Sequence, residues 1–285
     1  NASMGTDTCS ILLATDLSAR GDRALDRAIE IARQRRCKIV VLHVIEESPL
    51  VERLMARGNR EADMAAAERA LHDIVGEVDV PMELVLETGN PVEVIQRTAR
   101  GRQCDLIVTG VARDETLGRL LLGSTVEKLA RESTLPILIV KKRPHRTYRH
   151  IVAATDFSEG SRQAMNAARA FFPGAQMTLF HAYPTLKADP DLAEVEAARR
   201  AAERLADGFI ANNLSQAGQA GTRLVLEHGL PEGVVPDYVR SHPTDLLVVG
   251  THGLTGLLRT AIGSVAERLV YLTPCDALIV RTMES

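Results

Sequence analysis

The chain contains Ile11-Leu-Leu-Ala-Thr-Asp16-Leu-Ser18 near its start and Ile151-Val-Ala-Ala-Thr-Asp156-Phe-Ser158 just past its middle. These stretches lie 140 residues apart, and the same offset relates Gly89 to Gly229, Asp105–Gly110 to Asp245–Gly250, Gly123-Ser124 to Gly263-Ser264, and Ile139-Val140 to Ile279-Val280. The period is far longer than the roughly 20–50 residues of solenoid repeats, so each copy is long enough to be a domain. We therefore predict two tandem domains, residues 1–145 and 146–285.

Within each copy, short apolar runs alternate with longer amphipathic segments. The runs are rich in Val, Ile and Leu and nearly continuous, which is typical of strands buried on both faces of a parallel sheet. The predicted strands are 11–15, 38–44, 82–87, 105–109 and 136–140, then 150–155, 176–182, 223–227, 245–249 and 277–281. The predicted helices are 19–35, 57–77, 91–101 and 123–132, then 159–172, 190–216, 232–240 and 263–272. This alternation predicts an α/β protein made of two tandem Rossmann-like open parallel five-stranded sheets flanked by helices.

Composition disfavours several classes of function. The 34 basic and 37 acidic residues give a net charge of −3, so the chain lacks the basic field of a nucleic-acid binder. With 4 Tyr, 5 Phe and no Trp, aromatic platforms for stacking bases or sugars are scarce. No apolar run approaches the ~18 residues of a membrane span. We expect neither a nucleic acid nor a membrane as a partner.

The four cysteines are far apart and form no Cys-x-x-Cys motif; they are Cys9, Cys37, Cys104 and Cys275. With no secretion signal in the sequence, we expect reduced thiols and a cytoplasmic location. The eight histidines form no His-x-x-x-His or Cys/His cluster, so no metal site is predicted. His43 and His181 end the second strand of each copy, and we interpret both as hydrogen-bonded structural residues.

The residues that could bind a ligand or take part in chemistry follow the first and fourth strands. In open parallel sheets, ligands bind beyond the carboxyl ends of the strands, at the place where the winding direction reverses. In the second copy these are Thr155 and Asp156, then Gly250-Thr-His-Gly253, then Gly263-Ser264 at a helix start. Glycines let backbone N–H groups approach an anion closely, and a helix start attracts phosphate. The spacing Gly-x2-Gly-x9-Gly-Ser therefore predicts a phosphate site.

Each part of this pattern also has a simpler explanation. Gly250 can merely end a strand, and Ser264 can be an ordinary helix N-cap. Asp16 and Asp156 suit either a turn or cap role or a contact with ribose, adenine or hydrated Mg²⁺. His252 suits either a phosphate contact or a solvated loop.

Together, the glycine spacing and the Ala154-Thr-Asp-Phe-Ser158 turn resemble the universal stress protein family, over essentially the whole chain as two copies. The resemblance implies the strand order 3-2-1-4-5 and, in the family's ATP-binding branch, adenine near the first turn and the end of strand two, with phosphates along the glycine segments. It also implies a cytoplasmic role in stress tolerance. Carried over by position, the implied ATP-binding residues are Ala154, Thr155, Asp156, Ala182, Gly250, Thr251, His252, Gly253, Gly263, Ser264 and Val265.

The first copy departs from this pattern because Arg113 stands where the second glycine is expected. A side chain there takes up phosphate space and disfavours positive φ, although its guanidinium could serve as a built-in cation. We predict a weakened or lost ATP site in the first copy. The degenerate site comprises Thr15, Asp16, Val44, Gly110, Arg113, Gly123 and Ser124.

The sequence favours nucleotide-dependent regulation over rapid catalysis. It contains neither a Gly-x-Ser-x-Gly elbow nor a Gly-x4-Gly-Lys-Ser/Thr loop, so we assign no catalytic residue and expect at most slow ATP hydrolysis. ATP, with Mg²⁺ as an open addition, is the expected ligand. A non-nucleotide interaction module and a true ATP-using enzyme are the alternatives. The resemblance also implies that strands 136–140 and 277–281 pair within the chain as a pseudo-dimer, because members of the family commonly pair through their fifth strands. A homodimer and an unknown protein partner stay open.

Overall fold

The computed structural model describes residues 9–17, 21–46, 60–75, 78–114, 119–121, 123–185, 187, 189–215, 218, 221–251 and 264–282. The chain divides into two compact units, of which unit 1 contains residues 1–129 and 137–147, and unit 2 contains residues 130–136 and 148–285. Among the described residues, no helix has both the length and the apolar character needed to cross a bilayer.

The first half of the chain alternates strands and helices as the sequence predicts. Its elements are β1 (Ser10–Thr15), α1 (Gly21–Arg35), β2 (Lys38–Glu46), α2 (Arg60–Val75), β3 (Met82–Gly89), α3 (Pro91–Gly101), β4 (Leu106–Gly110), α4 (Ser124–Glu132) and β7 (Ile137–Val140). A short hairpin of β5 (Ala112–Asp114) and β6 (Arg119–Leu121) follows β4. The parallel sheet of unit 1 has the order β7-β4-β1-β2-β3.

The second half repeats this sequence of elements. They are β8 (His150–Ala154), α5 (Glu159–Phe171), β9 (Gln176–Tyr183), α6 (Leu192–Asn213), β10 (Thr222–His228), α7 (Pro231–Ser241), β11 (Leu246–Gly250), α8 (Ser264–Leu272) and β12 (Asp276–Val280). The parallel sheet of unit 2 has the order β10-β9-β8-β11-β12. Counted along its own unit, each sheet has the order 3-2-1-4-5, so the predicted fold class and strand order are confirmed.

The central strands are buried on both faces. Ile11, Leu12 and Leu13 are consecutive in β1 and each is 0% exposed, as are Leu246 and Leu247 in β11. Successive side chains of a strand point to opposite faces, so consecutive burial requires packed layers on both sides. This burial explains why the apolar runs are continuous rather than alternating.

The expectation of four reduced thiols is wrong for one pair, because Cys9 and Cys37 form a disulfide. Cys9 immediately precedes β1 and Cys37 immediately precedes β2, and the paired strands place Ser10 opposite Lys38. The two cysteines therefore occupy neighbouring positions at the amino ends of adjacent strands, with Cα atoms 4.5 Å apart. Their separation of 28 residues in sequence hides this proximity.

Candidate functional site

The carboxyl ends of the first and fourth strands lie side by side in each unit. β1 pairs with β4 in unit 1, and β8 pairs with β11 in unit 2. The segments that follow these strands therefore leave the sheet at the same edge, as the crevice argument requires. We call this edge of either sheet the carboxyl edge.

The turn after the first strand has the same geometry in both units. The Thr155 Oγ1 accepts a hydrogen bond from the backbone N–H of Phe157 at 2.9 Å, and the Thr15 Oγ1 accepts one from Leu17 at 3.1 Å. Phe157 and Leu17 have φ values of +63° and +60°, which non-glycine residues rarely adopt. The threonine hydroxyl therefore stabilises a strained turn, a role that the sequence interpretation of these positions missed.

A histidine at the end of the second strand supports each turn. The His181 Nδ1 lies 2.8 Å from the Thr155 carbonyl oxygen, and the His43 Nδ1 lies 2.9 Å from that of Thr15. Since a carbonyl can only accept, Nδ1 carries the proton in both rings. In unit 2 the Phe157 ring also packs on His181, with ring centroids 4.5 Å apart. The predicted structural role of both histidines is confirmed.

Asp156 stabilises the turn that leads into α5. Its Oδ1 accepts hydrogen bonds from the Ser158 backbone N–H at 3.1 Å and from the Ser161 hydroxyl at 2.7 Å. The Ser158 hydroxyl oxygen in turn accepts from the Ser161 N–H, which makes Ser158 the N-cap of α5. These contacts are those of a turn residue, the first of the roles considered for Asp156. Ser161 could have been suspected as its partner from its place in the first turn of α5.

Gly250 is required by close packing against α5. A Cβ atom on Gly250 would lie 2.8 Å from the Gly160 carbonyl oxygen and 2.9 Å from its carbon, distances that real Cβ atoms essentially never show. Its φ is not positive, so steric access and not conformational freedom explains the glycine. The neighbouring Thr251 is 2% exposed, and its N–H donates to the Val280 carbonyl oxygen at 3.1 Å.

We predict that Gly250→Ala lowers the free energy of unfolding of unit 2 by about 1.5 kcal/mol, because the added methyl group forces the start of α5 away from β11. Gly233 in α7 has no atom within 4 Å of an added Cβ. Gly233→Ala is the matched control and should stabilise the unit by up to ~1 kcal/mol, because alanine has the higher helix propensity. Hydrogen exchange in peptides that cover α5 and β11 gives the comparison, because it reports on unit 2 alone. Equal protection of these peptides in the two variants would contradict the packing role of Gly250.

The remaining predicted positions of the second copy are only partly described. Ala154 ends β8, and Ala182, 8% exposed, follows His181 in β9. Ser264 begins α8, and Val265 in its first turn is 38% exposed. His252, Gly253 and Gly263 lie outside the described residues. The structure thus brings the first turn, Gly250 and the end of β9 to one edge.

The carboxyl edge of unit 1 contains a cavity of about 440 Å³. Six of the seven residues in the predicted degenerate site line it, namely Thr15, Asp16, Val44, Gly110, Gly123 and Ser124. Gly123 has φ +71°, a conformation that favours glycine, and Ser124 begins α4 directly after it. Glu46, Pro91 and Ile95 also line the cavity and carried no sequence signal. The volume lies within the range typical of small-molecule sites.

Arg113, the seventh residue, lies in the β5–β6 hairpin, where it is paired with Leu120. An extended strand residue has no need of positive φ, so the backbone penalty expected for an arginine at this position does not arise. The segment after β4 therefore departs from a glycine-rich phosphate loop in its backbone as well as in its sequence.

The described residues contain no group of three or more His, Cys, Asp or Glu side chains arranged to hold a metal ion. The described groups at the two carboxyl edges include hydroxyls, backbone amides, separate carboxylates and the imidazoles of His43 and His181. Such groups suit the binding of a polar ligand by hydrogen bonds.

Comparison with known proteins agrees with this architecture. The sequence profile of the Universal stress protein family matches residues 10–141 and again residues 147–281. These two matches span most of the chain and coincide with the two five-stranded sheets. The chain belongs to the universal stress protein family and contains two copies of its domain.

Individual relatives match in the same way. A protein of Staphylococcus haemolyticus, named for this family, is 32% identical over 145 residues, which is 48% of this chain and 87% of that protein. A functionally unknown protein of Pseudomonas aeruginosa has a TM-score of 0.66 at 19% identity and covers 96% of this chain and 93% of its own. A universal stress protein of Archaeoglobus fulgidus has a TM-score of 0.65 at 17% identity, with 95% and 98% covered. At these identities the solved structures show a shared fold.

Proposed function

We propose that this chain is a nucleotide-binding regulatory protein that holds ATP at the carboxyl edge of unit 2. The observation that carries the proposal is the cavity of unit 1, which six predicted positions line. It supports the view that this edge of the repeat can form a hollow large enough for a nucleoside. Unit 2 repeats the supporting turn and histidine, and its sequence keeps Gly250, Gly253 and Gly263.

In the proposed complex, adenine lies near Ala154, Thr155 and Ala182. Backbone amides of the glycine segment and the start of α8 bind the phosphates, since a helix N-terminus favours anions. The Asp156 Oδ1 already accepts hydrogen bonds from Ser158 and Ser161, so its proposed part is to hold the turn rather than to contact the ribose. Mg²⁺ would be bound by phosphate oxygens and water, as is usual for nucleotide sites with few carboxylates.

Unit 1 is proposed to bind nucleotide weakly or to bind another ligand. A hairpin follows β4 in unit 1, and Arg113 stands where the second glycine of the motif would let a triphosphate approach the backbone. A ligand in its cavity would contact Thr15, Val44 and Ser124, which offer hydroxyls and an apolar wall. The regulatory role follows if a partner distinguishes the ATP-bound chain from the free chain, because a ligand shifts an equilibrium only through differential affinity.

The second candidate function is a non-nucleotide interaction module. It is favoured by the structural roles of three motif residues. Asp156 holds the turn before α5, Gly250 leaves room for the start of α5, and the Thr251 N–H bonds to β12, all without a ligand. On this view the motif residues stabilise the fold, and a protein partner recognises another surface. Pairing of 136–140 with 277–281, homodimerisation and the cytoplasmic location stay predictions under both candidates.

Gly253→Arg, which copies Arg113 into unit 2, tests the site. We expect purified parent protein to release an adenine nucleotide on denaturation, identified by chromatography. We expect the variant to bind ATP about tenfold more weakly by calorimetry, a change of ~1.4 kcal/mol, because the side chain takes up phosphate space.

Gly233→Arg adds the same charge at an open position of α7 and should leave ATP binding unchanged. Val44→Arg fills the cavity of unit 1 and should leave the tight site intact. Equal ATP affinity in the parent and in Gly253→Arg, with unchanged circular dichroism, would refute the assignment to unit 2. Loss of binding only in Val44→Arg would move the site to unit 1.

A further inference from the structure

Unit 2 has a second cavity at the opposite end of its strands, which we call the amino-edge cavity. It measures about 440 Å³ and lies between the beginnings of β8, β9 and β10 and the end of α7. The polar and aromatic residues that line it are His150, Gln176, Thr178, Thr222, Arg223, Tyr238 and His242. The family resemblance assigns nothing to this edge, and the proposed nucleotide site lies at the other ends of the strands.

Tyr238 supplies the first hydrogen-bonding group of the cavity. The residue is 8% exposed, and its ring packs against Phe180 and His242 with centroids 5.0 and 4.0 Å away. Its hydroxyl forms no hydrogen bond with any described residue and is not buried, so it is open to the cavity that Tyr238 lines. A ligand there can accept a hydrogen bond from this hydroxyl without displacing a protein contact.

The imidazole of His242 is fixed in place with one nitrogen available. Its ring stacks on Tyr238 at an interplanar angle of 13°. Its Nδ1 lies 3.1 Å from the Tyr238 carbonyl oxygen and 3.0 Å from the Ser241 Oγ, so Nδ1 is the protonated nitrogen. The Nε2 has no partner in the described part of the chain and can serve a ligand.

Arg223 supplies a cation to the cavity. It is exposed on β10 and forms no ion pair with any described residue. The Asp245 carboxylate accepts hydrogen bonds at its Oδ2 from the backbone N–H groups of Arg149 and His150, at the start of β8 and not beside β10. The cavity therefore presents one guanidinium, two imidazoles and four neutral hydrogen-bonding groups, of which the Thr222 hydroxyl already bonds within the protein.

The equivalent place in unit 1 is spanned by ion pairs. Strand register aligns Arg223 with Glu83, since each pairs with the third residue of the second strand of its unit. Glu83 accepts from the Arg102 Nε at 2.8 Å and lies 3.9 Å from the Lys38 Nζ. Unit 2 has Gln176 at the place of Lys38 and His242 at the place of Arg102. The carboxylate of unit 1 is therefore replaced by a guanidinium in unit 2, and the two cations that pair with that carboxylate are replaced by a glutamine and a histidine.

From this geometry we infer that the amino-edge cavity binds a small organic anion, with its carboxylate or phosphate group on Arg223 and its body against Tyr238 and Thr178. The planar guanidinium fork matches both kinds of anionic group. The Tyr238 hydroxyl and the Gln176 amide donate the remaining hydrogen bonds. The cavity volume is within the range of known small-molecule sites.

The test uses the full chain, with phenyl phosphate, benzoate and neutral benzyl alcohol as probes. Histidine carbon-13 NMR reports on His150 and His242, whose signals are assigned by single replacement with glutamine. We expect saturable shifts of both signals with at least one of the two anions and none with benzyl alcohol. Whichever anion binds more tightly identifies the preferred group.

Variants locate the anion. Arg223→Glu, which copies Glu83 of unit 1, should weaken binding about tenfold or more. Arg204→Glu reverses a charge on an exposed face of α6 and should change nothing. The pair Arg223→Glu with His242→Arg recreates the ion pair of unit 1 and should abolish binding while unit 2 stays folded.

Tyr238→Phe separates a ligand role from a structural one. Since the hydroxyl has no hydrogen-bond partner among the described residues to lose, we expect unchanged stability and weaker binding of the anion. The inference is overturned if no probe gives a saturable shift, if benzyl alcohol binds as well as the anions, or if Arg223→Glu and Arg204→Glu bind equally. Each of these outcomes leaves the ATP site at the carboxyl edge untouched, so the two proposals fail separately.

Discussion

Replacing both Cys9 and Cys37 with serine is expected to lower the free energy of unfolding of unit 1 by about 3–4 kcal/mol under oxidising conditions. The disulfide closes a loop whose ends are 28 residues apart, and a crosslink of that length removes conformational entropy from the unfolded chain by roughly this amount. It joins the amino ends of β1 and β2, which lie in the centre of the sheet.

Hydrogen exchange monitored by mass spectrometry measures this effect in peptides that cover β1 and β2. A local readout is needed because a chain of two units does not unfold in a single two-state step. A reductant should destabilise the parent protein to the level of the double variant and leave the double variant unchanged.

The remaining thiols provide an independent count. Cys104 and Cys275 are buried and free, and burial raises the pKa of the Cys104 thiol, so neither should react readily in the folded protein. Denatured parent protein without reductant should therefore show two reactive thiols of the four in the sequence. The disulfide would be contradicted if the denatured parent protein showed four reactive thiols and if reductant did not change the stability of its unit 1.

The pairing of Cys9 with Cys37 illustrates what the sequence does not contain. Patterns along the chain locate strands but leave their relative register open, and it is the register of Ser10 opposite Lys38 that makes the cysteines neighbours. The strands themselves were predictable because burial on both faces leaves an unbroken apolar run such as Ile11-Leu12-Leu13.

The candidate site was predictable to the same degree. The turn at Thr155 and Asp156 could be located because its residues follow a strand and recur in the first copy. The structural roles of Asp156 and Gly250 could not be predicted. Asp156 bonds to Ser161 and Gly250 packs on Gly160, and both neighbours belong to α5, whose packing the sequence does not show. Local sequence identifies where backbone geometry is unusual, whereas tertiary neighbours decide its cause.

The two departures between the copies show the same limit. Arg113 signals a change after β4, but its place in a hairpin depends on pairing with Leu120. The exchange of Glu83 for Arg223 looks like ordinary surface variation in the sequence. Its significance becomes clear only when the ion pairs of Glu83 in unit 1 are compared with the amino-edge cavity around Arg223 in unit 2.

Tyr148→Phe is expected to lower the free energy of unfolding of unit 2 by about 3 kcal/mol. The Tyr148 hydroxyl donates to the Asp276 Oδ2 at 2.6 Å, and the two residues are 6% and 1% exposed. A hydrogen bond to a buried carboxylate contributes more than one between neutral groups, and its loss leaves an acceptor away from water. Phenylalanine keeps the edge-to-face packing of the ring on Phe172, with centroids 5.0 Å apart, so the change isolates the hydroxyl.

The matched control is Tyr271→Phe, because Tyr271 is 42% exposed and its hydroxyl can bond to water in either state. Asp276→Asn adds a second comparison: its side-chain carbonyl oxygen can still accept from Tyr148, so it should cost less stability than Tyr148→Phe does. Since Asp276 begins β12, the loss should appear first in hydrogen exchange of that strand and of β11 beside it. Equal hydrogen-exchange rates of β11 and β12 in Tyr148→Phe and Tyr271→Phe would show that the Tyr148 hydroxyl does not anchor β12. The packing of Ala277, Leu278 and Ile279 would then be enough to hold that strand in the sheet.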